Sequence, residues 1–376
     1  MIDITEFRHY LHANPELSGS EFNTSKSICH VLNELECDRI FSDFAGNAVI
    51  AVFNGNPAKK TIAFRADIDA LPIDEKTRLP YSSATANVSH KCGHDGHTAI
   101  LLDFASKIAK RKNDFGKIIL IFQAAEETGM GASEILKSNV LQKLKPDAVF
   151  GLHNLPGFPS GSVVMRYNTF AAASCGLIIR LKGLEAHAAY PENGINPAPA
   201  VAEIIRSLNE INSSNQEIDN FRQATLIYTR IGKVAFGTSA GDAEIMLTLR
   251  SFNNKKMKEL VDYVEETATL SASKFHLDID FDYQDKFNAL ENRNDYVDII
   301  KNAALLLHFQ TIFTDEPRRW SEDFAEYLLQ FNGAFFGIGS GENHLPLHHP
   351  DYDFPDEIIS PASDLFLKIA EIACKQ

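Results

Sequence analysis

The chain has 376 residues, of which 44% are hydrophobic and 23% charged, and a formal net charge of −14. This length allows about two domains of roughly 100–200 residues, and the composition is that of an ordinary globular protein rather than a disordered one. The acidic balance argues against nucleic acid or an anionic membrane as a partner, while leaving an anionic small substrate open to a local site.

The first residues, Met1-Ile2-Asp3-Ile4-Thr5-Glu6, carry neither the basic nor the apolar region of a secretory signal. The longest clean apolar run, Ile118 to Phe122, is too short to span a bilayer. The five cysteines, at positions 29, 37, 92, 175 and 374, are odd in number and dispersed, which suits a reducing cytoplasm rather than a disulfide framework. Cys29, Cys37, Cys175 and Cys374 read as small core residues.

In chain order, Phe7 and Leu11 mark a first helix that Pro15 ends. Thr24 or Ser25 is placed to cap a second helix carrying Ile28, Leu32 and Leu35. Val49, Ala51 and Phe53 alternate as in a strand, and Gly55, Asn56 and Pro57 make the turn after it. Three short apolar runs of buried-strand type follow: Thr61 to Phe64, Lys117 to Phe122, and Asp147 to Phe150. Helical patterns separate them, one with Leu101, Phe104, Ala105 and Ile108, the other around Ala132 to Leu136. Alternating strands and helices predict an α/β domain with a central, mostly parallel sheet and helices on its faces.

The pattern changes after Ala173. A strand with Leu177, Ile179 and Leu181 is followed by a helix with Val201, Ile204, Ile205 and Leu208. Strands Ala224 to Ile231 and Ala243 to Ser251 come next, then a helix over about Lys255 to Ser273 and a strand with Leu277, Ile279 and Phe281. This order is the ferredoxin-like α+β arrangement, so residues 174–285 read as an inserted domain. The chain then returns to a discontinuous first domain of 1–173 and 286–376, with a helix near Tyr296 to Leu307, a strand at Ala334 to Ile338 and a closing helix from Ser363.

Polar clusters follow directly on the three apolar runs: Arg65-Ala66-Asp67-Ile68-Asp69, Gln123-Ala124-Ala125-Glu126-Glu127, and Gly151-Leu152-His153-Asn154. Open α/β sheets place their sites outside the carboxyl ends of their strands, so these clusters are expected to converge. A fourth, His90-Lys91-Cys92-Gly93-His94-Asp95-Gly96-His97, precedes a helix. Thiolate and imidazole two residues apart make good transition-metal ligands, and Gly93 and Gly96 permit the tight backbone needed to aim them together. Alone, the same residues also fit a nucleophilic Cys with a nearby His, or a polar helix start. Glu126 and Glu127 read either as a solvated helix start or as a ligand beside a general base. After a buried apolar run, two carboxylates need a compensating cation, which favours the second reading. His153 and His348 each have a structural alternative. Asp67 and Asp69 are candidates for orienting a ligand His, or for simple caps.

These motifs, taken in order, resemble the amidohydrolase branch (subfamily D) of metallopeptidase family 20, which includes hippurate hydrolase, auxin-conjugate hydrolases and N-acetyl-diaminopimelate deacetylase. The resemblance is carried by Arg8-His9-Tyr10-Leu11-His12 with Pro15-Glu16-Leu17, by Phe64 to Pro72, by Cys92-Gly93-His94-Asp95-Gly96-His97 and by Ala125-Glu126-Glu127. It continues through Gly151-Leu152-His153, Ala186-His187-Ala188-Ala189-Tyr190-Pro191, Ser321-Glu322-Asp323-Phe324 and Leu347-His348-His349-Pro350. It implies two divalent metal ions, zinc or manganese with cobalt or nickel as further candidates, held by Cys92, His94, Glu127, His153 and His348. Glu126 would be the general base, and His187, in the inserted lid, would stabilise the oxyanion. The lid of this family often mediates dimerisation, which makes a homodimer the expected assembly. Two departures stand out. Ala235-Phe236-Gly237-Thr238-Ser239 replaces the family's usual Asn-Val-Ile-Pro run, and His344 adds a histidine near the last ligand.

The expected activity is hydrolysis of the amide of an N-acyl amino acid, N-acetyl, benzoyl or similar. A metallo-dipeptidase or carboxypeptidase activity is the near alternative, and a non-catalytic metal-dependent binding protein or a metal-free Cys hydrolase the distant ones.

Overall fold

The three apolar runs form the strands Ile62–Asp67, Ile118–Gln123 and Ala148–Pro156 of a computed structural model that describes residues 3–213 and 217–375. They sit inside an eight-stranded sheet. Across it the order is Arg39–Phe44, Ala48–Phe53, Ile118–Gln123, Ile62–Asp67, Ala148–Pro156, Asn332–Gly341, Val163–Met165 and Thr311–Phe313. The central pairings are parallel, and antiparallel strands lie toward the edges. Central parallel strands are covered on both faces, which is why they read as unbroken apolar runs. The strands extend further than the runs suggest: Asp67, Gln123 and His153 lie within them rather than beyond them.

The helices His94–Ala109, Asn294–Leu306 and Ile359–Ala373 contribute to one core with this sheet. At its centre the Phe64 ring meets Phe104 at 4.7 Å, Phe366 at 5.0 Å and Phe150 at 5.8 Å. The closing helix begins at Ile359, ahead of the expected Ser363.

Two local expectations are corrected. The strand Ala48–Phe53 is buried at every position, not only at alternate ones. It pairs on both sides, and residues Ile28, Val31 and Leu32 of the second helix share its core. That helix spans Phe22–Glu34, so Thr24 and Ser25 are inside it and cap nothing. Its first amides are capped from outside by Glu16, which accepts from Asn23 N at 2.9 Å and Thr24 N at 2.8 Å.

Contacts divide the chain into two units. One takes in Met1–Phe170, Leu290–Asp315 and Asp323–Gln376, the other Ala171–Ala289 and Glu316–Glu322. The second unit has a four-stranded antiparallel sheet in the order Arg222–Ile231, Asp242–Ser251, Ala173–Lys182, Asp278–Phe287. The helices Ala198–Ser213 and Asn254–Lys274 complete the ferredoxin-like order and share an apolar core with the sheet. Among the described residues, no helix is long and apolar enough to cross a membrane.

Candidate metal centre

The centre is assembled at the carboxyl ends of the central strands, within the first unit. Cys92, His94 and His153 bring their ligand atoms within 4.8 Å of one another, and so do Cys92, Glu127 and His348. His94, Glu126 and Glu127 form a third such group. The five sequence-derived ligand candidates therefore fall in two overlapping sets that share Cys92, with Glu126 alongside.

Local backbone explains how. Gly93, at φ 93°, turns the chain so that Cys92 precedes the helix and His94 opens it. A Cβ at Gly93 would lie 2.6 Å from Asn154 Oδ1, so the position demands glycine for space as well as conformation. Ala125, at φ 53°, reverses the chain after the strand Ile118–Gln123, so that Glu126 and Glu127 turn back toward His94. His348 also has positive φ, at 66°, and its N–H donates to Lys91 O at 2.7 Å, which ties its loop to the Cys92 segment. Non-glycine residues in this region cost about 1–2 kcal/mol each, and such strain concentrates at functional sites. His349 turns away: its Nδ1 accepts the Asp351 N–H at 3.1 Å. His344 Nδ1 lies 3.2 Å from Leu345 O, outside the cluster.

Buried partners hold these side chains from behind. Asp69 lies 3.0 Å from His94 Nδ1 through both its side-chain and main-chain oxygens, which leaves Nε2 to face the cluster. The other Asp69 oxygen accepts from Glu127 N at 3.0 Å and Ser18 Oγ at 2.7 Å. Asp67 serves a different histidine: its Oδ1 is 2.6 Å from His97 Nδ1, and its Oδ2 accepts from Arg65 at 2.7 Å. His97 in turn meets Asn154, so it is a scaffold residue, as its place inside the helix implies. Arg65 also reaches Asp323 at 2.9 Å and Gln123 at 3.0 Å.

A second buried network fixes the residues flanking the cysteine. Asp95 accepts from Arg8 at 3.1 Å and meets His12 at 2.8 Å. Lys91 donates to Glu75 and to Tyr352 O, both at 2.7 Å. Burial alone would lower His12, but Asp95 and Glu75 raise it to about 9. Arg65, Asn154, Asp323, Glu75 and Lys91 carried no role in the reading of single motifs, since most of their partners lie far away in sequence.

Both the electrostatics and the spacing of the cluster fit a cation. His94 Nε2 and Glu127 Oε1 are buried without a hydrogen-bond partner and lie 3.8 Å apart. Cys92 Sγ is 3.3 Å from His153 Nε2, and His348 Nε2 is 3.7 Å from Glu127 Oε1. Donors held about 2.0–2.3 Å from one tetrahedral ion stand roughly 3.3–3.8 Å from each other. Burial pushes the Cys92 thiol well up, and Glu127, Glu126 and Asp67 push it further. Burial likewise brings Glu127 up to about 7, while Asp67, Asp69 and Glu127 outweigh burial and hold His94 at about 10. Crowded carboxylates and a thiol held this way are relieved by a cation.

His187 lies in the second unit. It is exposed, pairs with Thr238 in a two-stranded ribbon, and accepts the Ala189 N–H on Nδ1 at 3.0 Å.

Fold and site together define a hydrolase of the metal-dependent α/β class. The chain belongs to peptidase family M20/M25/M40, whose model matches residues 63–372. It is 31% identical to an N-acetylcysteine deacetylase of Bacillus subtilis over 98% of this chain and 96% of that one. It is 29% identical to a hippurate hydrolase of Campylobacter jejuni, again over 98% and 96%. Among solved structures it is similar to a dinuclear metal binding peptidase of the M20 family from Bacillus subtilis, with a TM-score of 0.86 and 29% identity, covering 99% of this chain and 98% of that one.

Proposed function

We propose that this protein is a binuclear metal-dependent amidohydrolase that removes the acyl group from N-acyl amino acids. The observation that carries the reading is the convergence of Cys92, His94, Glu127, His153 and His348, in which His94 Nε2 and Glu127 Oε1 are buried without a hydrogen-bond partner, with Glu126 beside them. The similarity to N-acyl amino acid deacetylases and to a hippurate hydrolase supports the substrate class. The catalytic domain is discontinuous, over 1–173 and 286–376, with the lid inserted at 174–285.

Cys92, His94 and His153 would hold one divalent ion, and Cys92, Glu127 and His348 another. When bound, the ions supply Lewis acidity to the scissile carbonyl and acidify the attacking water. Zinc suits the thiolate best. The Glu126 carboxylate takes the proton from the attacking water, holds it, and returns it to the nitrogen of the leaving amine. Asp69 keeps His94 in the tautomer that presents Nε2. His187 donates a hydrogen bond to the oxyanion. Its replacement by alanine is expected to lower kcat by about 10²–10³-fold with bound metal unchanged; metal loss in that variant would place His187 elsewhere in the scheme.

The test is a panel of N-acetyl, N-benzoyl and N-indoleacetyl amino acids and unblocked dipeptides, assayed for release of free amine. N-acyl substrates are expected to be cleaved, dipicolinate or EDTA to abolish the activity, and zinc or manganese to restore it. Activity that survives complete metal removal sinks the metal mechanism, and cleavage confined to unblocked dipeptides sinks the substrate class.

All five cysteines are unpaired, which suits work in a reducing cytoplasm. A homodimer through the lid is supported by its edge strand Arg222–Ile231, which exposes Leu226, Ile227, Tyr228 and Ile231. Sizing in solution tests this.

A further inference from the structure

Glu21 is buried at 0% exposure, yet it takes no part in the metal cluster and caps no helix. It stands at the N-cap position of the helix Phe22–Glu34, where a carboxylate would ordinarily accept the first amides. Glu16 already does that work at Asn23 and Thr24. Glu21 is thereby free to reach across to a distant segment, and its Oε1 accepts the Ala125 N–H at 2.8 Å. Burial pushes its carboxyl up to about 7, the mark of a group held in place against its own solvation.

Ala125 is the left-handed pivot of the turn that carries the Glu126–Glu127 pair. The turn closes on itself through Gly131 N to Ala125 O at 3.1 Å and Gly129 N to Glu126 O at 2.8 Å. Two carboxylates from elsewhere in the chain hold amides of this turn. On the far side of Glu126, Asp69 holds the Glu127 N–H at 3.0 Å, and the same Asp69 is bound to His94 and Ser18. On the near side the hold is Glu21. The two anchors bracket Glu126, and they are not equivalent: the Asp69 anchor is shared with the metal ligands, the Glu21 anchor is not.

We propose that Glu21 is a positioning residue which, by holding the Ala125 amide, sets the aim of the Glu126 carboxylate while leaving the metal ligands to Asp69. The inference rests on Glu126 being the general base. Loss of the Glu21 contact therefore acts on turnover and not on metal occupancy or substrate affinity, since displacing a catalytic group by an ångström costs up to about 100-fold.

Two variants separate reach from charge. Glu21→Asp keeps the charge, suits an N-cap position, and is one methylene too short to reach Ala125. Glu21→Gln keeps the reach and an acceptor oxygen but loses the charge. Glu21→Asp is expected to lower kcat by about 10-fold or more, with KM within about twofold and bound metal per chain unchanged, and Glu21→Gln to stay within about threefold of the parent. A merely structural role would instead lower the melting temperature of Glu21→Asp and leave kcat per metal-loaded site at the parent value, which overturns the proposal. Metal loss or a rise in KM at constant kcat overturns it too. Glu126→Gln is measured alongside. If that variant is inactive while Glu21→Asp turns over normally, the positioning role fails alone. If Glu126→Gln retains full turnover, the base reading falls and this inference falls with it.

Discussion

Glu126→Gln is expected to lower kcat by about 10³-fold while both metals stay bound, because general acid–base catalysis by a positioned side chain contributes typically 10²–10⁴-fold. Glutamine preserves size and hydrogen-bonding reach but cannot accept and return a proton. Glu126 is only 6% exposed and lies in a donor group with His94 and Glu127 and in another with Glu322 and Asp323. Glu127, the neighbouring carboxylate, belongs also to the group with Cys92 and His348, which suits it to ligation. The division of labour between the two adjacent glutamates makes opposite predictions for their amides. Glu126→Gln keeps its metal and loses turnover, whereas Glu127→Gln loses metal first. Metal analysis of both proteins, followed by single-turnover assays on the loaded fraction, checks this. Near-parent turnover in fully loaded Glu126→Gln would remove Glu126 from the mechanism.

The parts of this arrangement that the sequence reveals are those in which a local pattern does a local job. The run Ile118 to Phe122 is unbroken because it is paired on both sides, antiparallel to Ala48–Phe53 and parallel to Ile62–Asp67, and buried at every position. A polar cluster immediately after such a run falls in or just past the last residues of a strand, which brings Glu126, Glu127 and His153 beside the Cys92–His94 segment and Asp67 beside His94. What stays hidden is pairing over long separations. Asp67 and Asp69 look interchangeable, two residues apart on one stretch of chain, yet one serves His97 and the other His94. The second helix starts at Phe22 rather than after Thr24, because its cap comes from Glu16 outside the helix. The edge strand Arg39–Phe44 escaped because its exposed polar residues Ser42 and Asp43 interrupt the half-buried Ile40, Phe41 and Phe44, which leaves no alternating apolar stripe to show. Glu21 in isolation is one more surface-type residue; only the folded chain sets it against Ala125.

Cys92→Ala is expected to cost more than about 100-fold in metal affinity, since even removing an outer partner of a ligand costs 10–100-fold, and to abolish turnover with the metal. The cysteine belongs both to the group with His94 and His153 and to the group with Glu127 and His348, so its loss weakens both ions and not one. The rival role, a nucleophile attacking the amide directly, needs a thiolate in an electropositive, accessible place. Cys92 has the reverse: it is 7% exposed, and burial together with Glu127, Glu126 and Asp67 pushes its thiol well above the ordinary value. Without a cation the thiol therefore keeps its proton through neutral pH, and metal uptake must displace it. The sign follows: below the raised thiol pKa, metal affinity climbs with pH, by about tenfold per unit for each proton released. Three measurements meet here. Titration of the metal-free enzyme with zinc in weak buffers should release protons, and Cys92→Ala should release fewer. Iodoacetamide should leave the metal-loaded enzyme active and label it slowly. If loss of activity instead tracks alkylation of Cys92 one for one, and chelators have no effect, the thiol is the nucleophile and the ligand assignment is wrong.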